Sequence, residues 1–176
     1  MSIRELKNDA NDMDWLEGKF DSISLFKGEM NITIFDNSEE AVSYAEECVK
    51  AYNSLNNDKA LLDDIQEHLA KFLLYMNDEW KAMDIFEDIA ANTQKVVDGY
   101  NEGRRLIEYL SRSRLYVELP DEENFSKNDI GYVIEADCPW EPEHQCSIII
   151  RNGKLKYVGP SEGNTPWDDD EDYYYL

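Results

Sequence analysis

The chain has 176 residues, a length that suits one domain whose core holds without disulfides or metal, and its 42% apolar and 32% charged residues describe a folded protein, not a disordered one. Thirty-nine acidic against 17 basic residues give a net charge of -22, which excludes nucleic acid and anionic membrane as direct ligands and favours a basic macromolecular partner. The opening MSIRELKNDANDMDW lacks the apolar run and small-residue cleavage site of a signal peptide, no stretch resembles a membrane span, and three cysteines make an odd number; together these predict a cytoplasmic protein.

The first patterned segment is FDSISLFKGEMNITIFD, where apolar residues alternate on either side of Lys27-Gly28. This predicts a β-hairpin with strands near 18–26 and 29–35. Ser38 then reads as an N-cap followed by Glu39 and Glu40, and Val42, Ala45, Val49 and Tyr52 recur at helical spacing to about Asn53. A second helix is expected after Asp58, with Leu62, Ile65, Leu69, Phe72, Leu73 and Met76 in one stripe about four turns long. His68 falls among its polar positions. The pattern stays helix-compatible from Asp78 to Val97 with an interruption at Asn92-Thr93, and Gly99 and Gly103 bracket a break before a short helix, RRLIEYLSR.

Every proline lies beyond residue 119, in the part that carries the β-type runs LYVELP, DIGYVIEAD, QCSIIIRN and KLKYVG. Asn152-Gly153 is a type I′ hairpin signal, so the last three runs form a meander. Strands, helices and strands in that order predict an α+β fold: an N-terminal β-hairpin, a helical middle and a C-terminal antiparallel meander, forming one mostly antiparallel sheet with helices packed on one face. We read residues 1–176 as one domain with an acidic, aromatic tail at 161–176.

Between two of those runs lies DCPWEPEHQC. Cys138 falls in phase with Ile130, Tyr132, Ile134 and Ala136, and Cys146 in phase with His144, Ile148 and Ile150, the placement of reduced cysteines used as small core hydrophobes. Pro139 and Pro142 fit an irregular connection between paired strands. The alternative is a metal-binding enzyme or sensor in which Cys138, His144 and Cys146 bind zinc with Glu141 or Asp137 as fourth ligand, but the spacing C-x5-H-x-C matches no strong zinc signature. Glu141, Glu143 and His144 offer acid and base groups without a nucleophile elbow or a phosphate loop, so no catalytic residue, cofactor or metal is assigned.

The same stretch resembles the closing segment of an uncharacterised bacterial α+β domain family. Members end in Asp-Cys-x-Trp-x-x-Glu-His, a strand, a turn and Val-Gly, matched by Asp137, Cys138, Trp140, Glu143, His144, Val158 and Gly159; Gln145 stands where the pattern has glycine. The resemblance implies a small acidic domain similar to the immunity proteins of contact-dependent or polymorphic toxin systems, and it brings no catalytic residues.

The chain closes on PWDDDEDYYYL. Carboxylates flanked by Trp and Tyr fit an interface with a basic partner, the aromatics as anchors and the acids meeting Arg and Lys. The expected partner-binding residues are therefore Trp167, Asp168, Asp169, Asp170, Glu171, Asp172 and Tyr173, with Glu141 and Glu143 in the turn. Arg104, Arg105, Arg112 and Arg114 are read as neutralising the protein's own acids. The sequence thus predicts an immunity protein, not an enzyme, that neutralises a cognate basic toxin, most simply a nuclease; an accessory domain with no toxin partner is the other alternative.

Overall fold

The computed structural model describes residues 2–8, 14–83 and 86–173. In chain order these form β1 (Arg4–Asn8), β2 (Leu16–Ser22), β3 (Gly28–Ile34), α1 (Glu39–Ser54), α2 (Lys59–Ala82), α3 (Glu87–Asn101), β4 (Ser111–Val117), β5 (Gly131–Cys138), β6 (Glu141–Arg151) and β7 (Lys154–Pro160). The strands make one seven-stranded sheet that runs in sequence order. All neighbours are antiparallel except β3 and β4, which pair in parallel from Asn31 opposite Arg114 to Ile34 opposite Val117. A parallel pair cannot be closed by a hairpin, so the whole helical middle serves as its crossover.

Strand alternation then decides which side the helices cover. Phe20, Ile32, Ile34, Leu115, Val117, Tyr132, Ile134, Ala136, Cys146, Ile148 and Ile150 point to one face and share a buried core with the helices. Val133, Ile149 and Tyr157 point the other way and form a second, small cluster with Tyr173. Among the described residues no helix is long and apolar enough to cross a membrane.

The helices begin where their caps place them. Ser38 Oγ accepts from Ala41 N at 3.2 Å, and an Asp58 carboxylate oxygen accepts from Leu61 N at 3.0 Å. α1 buries Ala41, Tyr44, Ala45, Cys48, Val49 and Tyr52, and is fastened at two hydroxyls. Tyr52 Oη lies 2.9 Å from Ser22 Oγ, while Tyr44 Oη accepts from Gly131 N at 2.9 Å, so one helix is tied to β2 and β5 together. α2 runs for 24 residues, about 36 Å, and carries its stripe past Met76 to Trp80. The Trp80 indole N–H donates to the Trp140 carbonyl at 2.8 Å and fixes the far end of α2 to the β5–β6 turn.

The helical boundaries differ from the sequence reading in two places. The interruption falls at Met83, whose backbone is extended (φ -106°, ψ 99°), and α3 continues through Asn92-Thr93 because Thr93 is fully buried against the core and is no loop residue. The expected helix RRLIEYLSR is a single 3-10 turn, Leu106–Tyr109, and β4 already starts at Ser111. β1 carries no sequence signal: its largely exposed, polar residues give no alternation to read, as suits a charged edge strand. Asn152 and Gly153 adopt φ 52° and 70°, the two positive values that a type I′ turn demands.

Candidate functional site

DCPWEPEHQC folds into the end of the β5–β6 hairpin. Cys138 pairs with Glu141 across the two-residue connection Pro139-Trp140, so the link is tight, and the irregularity lies beyond it in β6. Between the Cys138–Glu141 and Ala136–Cys146 pairs, Asp137 alone opposes residues 142–145, and Pro142 sits in that unpaired excursion, where no ladder donor is missed. Gln145, at the position where the resembling family has glycine, takes φ 65° in the left-handed region that favours glycine. This reverses the local alternation and turns His144 out of the core phase the sequence assigned to it; its side chain is 57% exposed while Cys146 stays buried.

The inward groups of the motif are held from several sides. Trp140 is fully buried and packs edge-on to Phe72. Asp137 accepts from Gln145 Nε2 at 2.8 Å and pairs with Arg112 Nε at 2.6 Å, and Arg112 is also left-handed (φ 48°). Glu141, expected on the surface, is 4% exposed: its Oε1 accepts from the Glu143 and His144 backbone N–H groups and lies 3.2 Å from His144 Nδ1. Glu143 remains exposed. Cys138 and Cys146 contact each other inside the core, apart from His144, and among the described residues no three His, Cys, Asp or Glu side chains are grouped to hold a metal ion.

All three cysteines are free and buried. Burial pushes the Cys48 thiol up to about 12 and raises Cys138 as well, with Cys146 adding to the effect. The native protein should therefore react with a thiol-specific disulfide reagent at about pH 8 only as fast as it unfolds. A stoichiometric burst in native buffer, followed by colour release, would show an accessible thiolate and contradict this.

The acidic tail is folded onto its own sheet over residues 161–173; residues 174–176 lie outside the described residues. Trp167 is 9% exposed, tilts against the Phe125 ring at 5.3 Å, and donates its indole N–H to the Glu118 carbonyl at 3.2 Å. Tyr173 is buried over Tyr157, with its hydroxyl donating to the Thr165 carbonyl at 2.7 Å. The Asp168 carboxylate accepts from the Thr165 N–H and hydroxyl, both at 2.9 Å. Asp170 pairs with Arg151 at 2.5 Å and Lys156 at 2.6 Å, and these cations, Lys156 first, hold its carboxyl below the usual range. Arg151 also donates to the Pro166 and Asp168 carbonyls and lies over the Phe125 ring.

Of the residues assigned to an interface, Trp167 and Tyr173 thus serve as internal anchors in this conformation. Asp169, Glu171 and Asp172 face solvent. Glu143 lies eight residues along β6 from Arg151, the partner of Asp170, a span on the order of 25 Å, so the two acidic sets are not brought together. Three of the four arginines neutralise their own chain: Arg114 pairs with Glu17 at 3.0 Å, Arg112 with Asp137 and Arg104 with Glu102. His68 lies 3.0 Å from Asp64 on the flank of α2.

The helix-free face holds a feature the sequence reading missed. Register aligns Glu17, Thr33, Tyr116, Val133, Ile149 and Tyr157 in one cross-strand row, and Arg114, Glu135 and Ser147 in the next. At the end of β3, Phe35 stacks on Tyr116 at 5.7 Å and meets Trp15 edge-on at 4.6 Å. These three rings, Val133, Glu118, Glu135 and residues 163–166 enclose a cleft of about 260 Å³. Partial burial, and then the nearby Asp168, raises the Glu118 carboxyl above its ordinary value. Burial, and then Glu135, does the same for the Tyr116 phenol.

A family model described as "Domain of unknown function (DUF6985)" matches residues 2–165. The chain belongs to this family. The matched span contains the whole sheet, the three helices and every cleft residue except Pro166, and it ends before the acidic run 168–172. Comparisons with curated proteins and with solved structures return no match.

Proposed function

We propose that this protein is a bacterial immunity protein, acting in the cytoplasm, that binds and neutralises a cognate basic toxin, most simply a nuclease. The observation that carries this reading is the fixed presentation of Asp169, Glu171 and Asp172. Trp167 on one side, Tyr173 on the other and Asp170 between them hold that segment against the sheet, so its exposed carboxylates are an ordered array and not a loose polyelectrolyte. An ordered array meets a basic surface without the entropy cost of immobilising a tail. Its carboxylates compete with nucleic-acid phosphates for the same cations. Inhibition would then be occlusion, with no chemistry performed on the toxin and no contact with nucleic acid or membrane.

The test is an affinity capture from the native bacterium at low salt, repeated at high salt, with captured proteins identified by mass. A basic toxin domain recovered at low salt, whose activity falls when this protein is added back, supports the reading. Capture of no basic protein from cells that express the neighbouring toxin genes overturns it.

A further inference from the structure

We propose that the aromatic cleft on the helix-free face receives one arginine side chain of the basic partner, its guanidinium packed against the aromatic wall of Trp15, Phe35 and Tyr116 and facing the carboxylates of Glu118 and Glu135. This rests on the function proposed above and names a contact within it.

Three properties of the cleft select that occupant. Its volume, about 260 Å³, lies below the range of about 300–1,000 Å³ typical of pockets for drug-sized ligands, and suits one long side chain. Its walls are of two kinds: aromatic faces, which attract a cation through the ring quadrupole, and carboxylates, which an apolar or anionic occupant would leave desolvated without compensation. The local charge also falls short of neutral. Glu118 and Glu135 line the cleft and Asp168 lies close enough to raise Glu118, while two neighbouring cations are already engaged: Arg114 by Glu17 and Thr33, and Arg151 by Asp170 and the Pro166 and Asp168 carbonyls.

Glu118 is the carboxylate with the least internal claim on it. Glu135 accepts from Ser147 and Ser161, and Asp168 from Thr165, but among the described residues the Glu118 carboxylate has no hydrogen bond or ion pair. Arginine fits better than lysine because a planar, weakly hydrated guanidinium can stack on a ring while it donates to a carboxylate. The protein already uses that geometry twice, with Arg114 over Tyr116 at 6.0 Å and Arg151 over Phe125 at 4.8 Å.

The full-length protein should be titrated with N-acetyl-arginine amide, N-acetyl-lysine amide and N-acetyl-citrulline amide, reading the indole and backbone resonances of Trp15, Phe35 and Tyr116 by NMR. Expected is saturable binding of the arginine compound with shifts concentrated on those residues, about threefold or more tighter than lysine, and none for citrulline. Glu118→Gln, which removes charge and no internal bond, should weaken the arginine compound at least about threefold, and Phe35→Leu should abolish its preference over lysine. Equal binding of arginine and citrulline, or shifts spread evenly over the acidic surface, overturns the proposal. The probes need no toxin, so the two readings fail separately. Saturable arginine binding without capture of any basic toxin removes the function and leaves the cleft. Capture of a toxin that survives Glu118→Gln and Phe35→Leu unchanged, with no arginine binding, removes the cleft alone.

Discussion

Trp167→Ala is expected to lower the unfolding free energy by about 3–5 kcal/mol, the range for truncating a large buried aromatic, and to free residues 168–173 from the sheet. The ring sits at the joint of three structures. It packs on Phe125, caps the start of β5, and bonds to the Glu118 carbonyl through its indole N–H. Removing it leaves a cavity at the edge of the main core and takes away the hold on Pro166 and Asp168. Urea titration followed by far-UV circular dichroism measures the stability, and limited proteolysis with mass detection reads the release of the tail. A loss under about 1 kcal/mol with the tail still protected would mean that the indole is peripheral.

Gly131→Ala approaches the same joint from the other side. A methyl group there would lie 2.6 Å from the Pro166 Cβ and 2.9 Å from the Trp167 ring, distances that force one of them to move. It should therefore release the tail with the indole intact. Agreement between the two variants would separate loss of docking from loss of the ring.

Neutralising the three outward carboxylates together, Asp169→Asn with Glu171→Gln and Asp172→Asn, should leave stability within about 0.5 kcal/mol of the parent. Among the described residues their side chains make no hydrogen bond or ion pair, so nothing internal is lost. Association with the basic toxin should slow by about 10- to 100-fold at low salt, with dissociation little changed, because charges at a rim act chiefly on diffusional encounter. At high salt the parent and the variant should converge. Stopped-flow association across a salt series decides it: equal rates at every salt concentration would remove the tail from the interface even if the protein inhibits a toxin by another surface. Asp170→Asn belongs to a different class, since it strips a partner from Arg151 and Lys156 and should loosen the tail itself.

Much of the fold was legible because its signals are local. The alternation around Lys27-Gly28 marks two strands, Ser38 and Asp58 supply caps within three residues of the N–H groups they satisfy, and Asn152-Gly153 has the residue types its positive φ values require. The helical stripe of α2 states which side is buried without any knowledge of what lies opposite. The misplaced boundaries have a common cause. Thr93 is polar by type yet buried by tertiary packing, and β1 is a strand only because β2 gives it a partner.

By itself, then, the sequence determined the charge, the α+β order, the hairpins and the core faces, all of which depend on residues a few positions apart. Tertiary structure alone decided the rest, because it depends on chain segments that meet only after folding. Asp170 reads as one of the acids that meet a basic partner until Arg151 and Lys156 are seen beneath it, and Trp167 reads as an interface anchor until Phe125 and Gly131 are found against it. The cleft needs the parallel pairing of β3 with β4, which brings Phe35 to Tyr116 across a crossover of three helices, and no periodicity in either strand encodes which distant strand will lie beside it.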